Sequence, residues 1–104
     1  MKIEILHEAE DEMNEAIARY EDIEPGLGVR LKEEVRDAIR WIADNPEIPR
    51  LRSQGYRRVN LKVFRYYIPY FVWNGAVWIL AVAHGSRRPE YWIERRKRQS
   101  WSDL

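Results

Sequence analysis

Around Pro46 and Pro49 the spacing of apolar residues changes from every three or four positions to every second one. That switch constrains the fold most, because a helix repeats its buried face at period 3.6 and a strand at period two. Upstream, Ala9, Met13, Ala16, Ile17 and Tyr20 recur at helical spacing. Glu8, Glu10, Asp11 and Glu12 crowd the first turn, where carboxylates complement the helix dipole. Pro25 disfavours a helical Glu24, and Gly26 and Gly28 follow, so this helix is expected to end near Asp22. Leu27, Leu31, Val35, Ala38, Ile39 and Ile42 mark a second helix, stopped at Asp44-Asn45-Pro46. Joined by so short a turn, the two helices form an αα-hairpin. Ahead of them, Lys2 to His7 alternates with Ile3 and Ile5 on one face, which reads as a short strand.

Downstream, Tyr56 to Leu61 predicts a strand. From Val63 to Trp73, Phe64, Tyr66, Ile68, Tyr70 and Val72 take one face, and Val63, Arg65, Tyr67, Pro69 and Phe71 the other. Asn74 and Gly75 both accept positive φ and signal a hairpin. The return strand, Val77 to His84, is apolar on both faces and is expected at the centre of the sheet beneath the helices. Pro69 has no N–H for a ladder, so a free or bulged stretch is expected beside it. Pro89 is expected to open a last helix through Glu94 to Arg98. Residues 99–104 are expected to fray, with Trp101 a candidate anchor. The order β-α-α-β-β-β-α predicts one α+β domain over residues 1–104, a helical hairpin on a mainly antiparallel sheet with a short C-terminal helix.

With 104 residues there is room for a single core. The absence of cysteine excludes a disulfide framework, a thiolate metal site and a cysteine nucleophile. Two histidines without metal-ligand spacing argue against a metal enzyme, and no cofactor is expected. The longest apolar run, Ala76 to Ala83, is too short to cross a bilayer. Met1 to Glu4 lacks the apolar start of a signal peptide, so a soluble, cytoplasmic protein without a membrane partner is expected. Charge is distributed unevenly. Residues 1–48 hold six Lys/Arg and fourteen Asp/Glu, whereas residues 49–104 hold twelve and three. Either the second half meets phosphates or acidic groups, or the two halves neutralise each other by packing.

The basic half offers Arg57, Arg58, Lys62, Arg65, Arg87, Arg88 and a run from Arg95 and Arg96 to Arg98. Arg57 and Lys62 are expected near the turn between the second and third strands. His84 ends the last strand, and Gly85-Ser86 turns the chain before Arg87 and Arg88. Converging strand ends would make a shallow basic bowl, with Tyr67 and Tyr91 as stacking platforms. Such a bowl suits single-stranded RNA or acidic protein side chains. Beyond residue 49 the carboxylates are Glu90, Glu94 and Asp103, too few for a carboxylate-dyad hydrolase or a magnesium site. Phosphodiester cleavage would therefore be metal-free, with an RNA 2′-hydroxyl as nucleophile, arginine on the phosphorane, and His84 or Tyr91 moving protons. The plainer alternative is that the arginines solvate the surface, His84 is structural, and Tyr66, Tyr70, Trp73, Trp78 and Trp92 are packing residues.

The PGLG turn at Pro25 to Gly28, Arg57-Arg58-Val59, the FRYYIPY stretch at Phe64 to Tyr70 and ILAVAHGSRRPEYW at Ile79 to Trp92 are in an informative order. Together, over about residues 3 to 95, they resemble the RelE/ParE toxin superfamily of type II toxin–antitoxin modules. The resemblance implies the fold above, arrest of growth, and a separately encoded cognate antitoxin whose C-terminal segment wraps the toxin. RelE-like members cut mRNA in the ribosomal A site; the positions matching that chemistry are Arg65, His84, Arg87 and Tyr91. Arg57, Arg58, Lys62, Arg88, Arg95 and Arg96 would contact the target or a nucleic acid. ParE-like members inhibit DNA gyrase, and the PGLG and AVAHGSRRPEYW stretches look more like that type. Lys62 is the single lysine between Leu51 and Leu80, which weakens the RelE-like match. A growth-arresting inhibitor of a protein target such as gyrase is the favoured expectation. A metal-free ribosome-dependent endoribonuclease and a non-toxic nucleic-acid-binding domain are the alternatives.

Overall fold

The structure, a computed structural model, describes residues 1–88 and 90–98. Its elements are β1 (Lys2–Ile5), α1 (His7–Ile23), α2 (Leu27–Asp44), β2 (Arg57–Asn60), β3 (Tyr66–Trp73), β4 (Ala76–Ile79), β5 (Ala83–His84) and α3 (Glu90–Arg98). The sheet runs β1-β4-β3-β2, with β5 also paired to β3. β1 lies parallel to β4, because the helical hairpin carries the chain across before the sheet resumes. The remaining pairings are antiparallel. Pro89 and residues 99–104, including Trp101, fall outside the described residues, and the expectations for a helix start at Pro89 and a frayed tail lie there with them.

The PGLG turn is built for the helical hairpin. Gly26 takes a φ of 91°, a left-handed value that a side chain would strain. The Glu21 carboxylate accepts the Gly26 N–H at 2.8 Å and the Gly28 N–H at 3.0 Å, satisfying amides at the start of α2. Gly28 sits against α1 so closely that a Cβ there would lie 2.5 Å from the Ile17 carbonyl oxygen.

Both faces of the sheet are covered. On the hairpin side Ile68 and Tyr70 join Leu31, Val35 and Ile42 in the core, and Tyr20 meets Phe64 and Tyr66 edge-on. On the other side Trp92 of α3 is fully buried. It lies edge-on to Tyr56 at 4.7 Å and donates Nε1–H to the Tyr67 hydroxyl at 2.7 Å. As a result Tyr66 to Phe71 are buried without interruption, although their sequence predicts two alternating faces. Val63 and Arg65, expected inside this strand, precede it and are exposed.

The expected last strand is divided. Between β4 and β5 three residues, Leu80 to Val82, stand opposite two, Ile68 and Pro69, so the ladder contains a bulge beside the proline. Leu80 N–H still reaches the Pro69 carbonyl at 2.9 Å. The bulge leaves the Leu80 carbonyl and the Val82 N–H without strand partners, and an ion pair takes both. Arg95 of α3 donates to Leu80 at 3.1 Å, and Glu12 of α1 accepts from Val82 at 3.2 Å. The two side chains meet in a double hydrogen bond at 2.9 and 2.7 Å. One half-buried pair thereby fastens α1, the sheet and α3 at the point where the proline interrupts pairing. No helix among the described residues is long and apolar enough to cross a membrane.

Candidate functional site

The end of β5, the turn after it and the start of α3 form a shallow cleft. Gly85 N–H donates to the Arg65 carbonyl at 2.7 Å and Arg87 N–H to the His84 carbonyl at 3.0 Å, which turns the chain tightly. Ser86, Arg87, Arg88 and Tyr91 line a depression of about 620 Å³. Arg87 and Tyr91 also border a smaller polar hollow of about 120 Å³, shared with Glu12, Glu15 and Arg19 of α1, Tyr66 and His84. The site is therefore mixed in charge: exposed arginines stand on one side and carboxylates on the other.

Its titratable groups are largely occupied. His84 Nδ1 accepts the Ser86 N–H at 3.1 Å and lies 2.7 Å from Ser86 Oγ, while the ring is edge-on to Tyr66. Tyr91 is covered by two guanidinium groups, Arg87 at 4.3 Å and Arg95 at 5.0 Å from its ring centre. Burial, reinforced by the nearby Glu12 carboxylate, pushes the Tyr91 hydroxyl well above the usual tyrosine range. A phenol so held keeps its proton at neutral pH. Arg19 donates to the Tyr66 hydroxyl at 2.5 Å, which fixes the floor of the hollow.

The fold brings His84, Arg87, Arg88 and Tyr91 together, with Arg65 beside them through its backbone. Other expected residues lie elsewhere. Arg57 stands opposite Tyr70, at the far end of β2 from the β2–β3 turn where it was expected. Its guanidinium holds the carbonyls of Glu47 at 3.1 Å and Pro49 at 2.7 Å. Lys62 is at that turn, where its N–H and that of Val63 donate to Glu34. Arg58 covers the Tyr67 ring at 4.7 Å and Arg96 the Phe71 ring at 4.9 Å, both away from the cleft. Arg95 is committed to Glu12. Tyr67, expected as a stacking platform, is buried under α3 and is not one. Glu12, Glu15 and Arg19 escaped the sequence reading because they belong to the acidic half. Their spacing of three and four was the available signal, since it places all three on one stripe of α1.

Comparison with known proteins agrees with this architecture. The family model described as ParE toxin of type II toxin–antitoxin system, parDE, matches residues 3–89. Proteins named Toxin ParE2 from two strains of Mycobacterium tuberculosis are each 33% identical over 89 residues, covering 85% of this chain and 85% of theirs. Among solved structures, the chromosomal ParDE TA system from P. aeruginosa contains a chain that superimposes with a TM-score of 0.71 at 16% identity, over 81% of this chain and 95% of that one. At that identity the structural likeness speaks for the α+β fold. The match over most of the sequence speaks for more: this chain is a member of the ParE toxin family of type II toxin–antitoxin systems.

Proposed function

We propose that this ParE-family toxin arrests growth by binding a protein target, with DNA gyrase the candidate that its family type suggests, and that a cognate antitoxin neutralises it. The observation that carries this reading is the composition of the cleft. Glu12 and Glu15 share the smaller hollow with Arg19 and Arg87, so an incoming phosphodiester would meet carboxylates as well as guanidinium groups. Neither tyrosine is an open platform for a base: Tyr67 is buried, and the Tyr91 ring already carries the Arg87 and Arg95 guanidinium groups. Cleavage would also need a proton acceptor; the Tyr91 phenol stays protonated, and His84 Nδ1 is engaged by Ser86. A mixed-charge surface with satisfied aromatic residues suits a folded protein better than single-stranded RNA.

Two assays separate the alternatives. Purified protein is expected to inhibit gyrase supercoiling, while a defined cellular mRNA, read by primer extension minutes after induction without antitoxin, stays intact as growth stops. The double variant Arg87→Ala/Arg88→Ala is expected to lose growth arrest and to keep its melting temperature. New cleavage ends inside translated codons would assign the ribonuclease activity instead. Normal growth with intact message would leave a non-toxic binding domain.

A further inference from the structure

The two edges of the sheet differ in what they can pair with. β2 carries Arg57 and Arg58, and two such strands side by side would set like charges together. β1 is the other edge, and its sequence is Lys-Ile-Glu-Ile. Along a strand, successive residues aim their N–H and C=O groups to opposite sides. Leu6 N–H donates to the Ile79 carbonyl at 3.1 Å, so Lys2, Glu4 and Leu6 bond toward β4. Ile3 and Ile5 therefore aim theirs away from the sheet, and among the described residues those groups find no partner. A row of unpaired strand groups is a template for another strand.

Folded proteins commonly guard such an edge with lysine, which repels a second lysine facing it. In β1 the lysine has its complement two residues away. When two copies run antiparallel about a two-fold axis at Ile3, Ile3 faces Ile3 of the second copy in a hydrogen-bonded pair. Lys2 then faces Glu4 of the second copy, and Glu4 faces its Lys2, in the closer non-hydrogen-bonded pairs, with Cα atoms about 4.5 Å apart. Within one copy Lys2 Nζ already meets Glu4 at 2.9 Å, so the four charges would form one network. On the other side of the strand Met1, 52% exposed, would face Ile5, 40% exposed. An axis at Glu4 would instead oppose two carboxylates, so charge selects a single register. We infer that β1 is the interface of a symmetric dimer of this chain, in which two sheets join edge to edge. Each copy uses its β1 once, so growth stops at two. A net charge of +1 puts little repulsion between the copies. No residue of β1 lines the arginine cleft, so this surface is distinct from the proposed target contact.

Sedimentation of the full chain over a concentration series is expected to show a reversible monomer–dimer equilibrium, with slower amide exchange at Ile3 and Ile5 as dimer forms. Lys2→Glu and Glu4→Lys each leave β1 with charge of one sign, and each is expected to weaken dimerisation at least about ten-fold. An equal mixture of the two variants should dimerise again, because every charge then faces its opposite; loss of folding could not be rescued this way. The double swap Lys2→Glu/Glu4→Lys should dimerise alone. A wild-type chain that stays monomeric up to its solubility limit, a dimer indifferent to both substitutions, variants that stay monomeric on mixing, or protection at Arg58 and Asn60 in place of Ile3 and Ile5 would each overturn the inference. All of these readouts are independent of gyrase and of toxicity.

Discussion

Gly28 shows what a single atom decides in this chain. Its hydrogen lies where a methyl group would press on the Ile17 carbonyl at 2.5 Å and on Glu21 at 3.0 Å. Gly28→Ala is expected to cost about 1–3 kcal/mol despite the better helix propensity of alanine. A lower denaturant midpoint with unchanged slope would register it, and unchanged stability would mean that α1 and α2 separate freely. The turn was legible in the sequence as a break between helices; the contact that demands glycine was not, because it joins residues eleven positions apart across two helices. Arg95 makes the same point with charge. In the sequence it is one of four consecutive cations, whereas in the fold its side chain is 12% exposed against a Glu12 side chain that is 23% exposed. Arg95→Ala is expected to cost about 2–4 kcal/mol, because it strands the Glu12 carboxylate and the Leu80 carbonyl. Exposed Arg88→Ala is expected to stay within about 0.5 kcal/mol. In thermal melts, the Arg95→Ala/Glu12→Ala double variant should lose less than the sum of the singles.

Among the elements, α3 combines a basic run that the sequence leaves partly in solvent with Trp92, which the sequence offers as a packing residue and which closes the second face of the sheet. Trp92→Phe keeps the ring but removes the donor to the buried Tyr67 hydroxyl, at an expected cost of about 1–3 kcal/mol. Amide exchange at Tyr67 and Phe71 should quicken, as α3 loosens from the strand beneath it; exchange unchanged from the wild type would show that α3 is not what protects that face. The strand and helix periods, the Asn74-Gly75 hairpin and the irregularity beside Pro69 were all readable, because each is a local consequence of backbone chemistry. The parallel placement of β1 and the division of the last strand required partners distant in sequence.

For the whole molecule, the uneven charge is partly neutralised by packing and partly left at the surface. Part of the basic half neutralises the acidic half, as in Arg95 with Glu12, and part is left at the surface, as in Arg87 and Arg88. Buried tyrosines add a collective response to alkali. Burial raises the hydroxyls of Tyr67, Tyr70 and Tyr91, Tyr70 to about 12. A phenol whose folded pKa lies above its unfolded value of about 10 binds its proton more tightly in the native state. Stability from these groups is therefore complete below about pH 10 and falls as pH rises toward 12, by about 1.4 kcal/mol per pH unit for each tyrosine titrating differently. Chemical denaturation between pH 9 and 12 should show this decline, and Tyr70→Phe should make it shallower; a flat profile would show that the tyrosines ionise alike in both states.

By itself the sequence determined the family and, apart from the division of the last strand, the elements and their order, since periodicity, turn chemistry and motif order are properties of neighbouring residues. It also limited the chemistry, by lacking cysteine and by keeping most carboxylates in its first half. Only the tertiary structure decided which arginines are available. Arg57, Arg58, Arg95 and Arg96 look alike in sequence to Arg87 and Arg88, and they differ because folding half-buries the first four against carbonyls, aromatic rings or Glu12, while Arg88, and Arg87 over the Tyr91 ring, stay exposed. A guanidinium group binds whichever acceptor reaches it, and which one does is set by contacts between residues far apart in the chain.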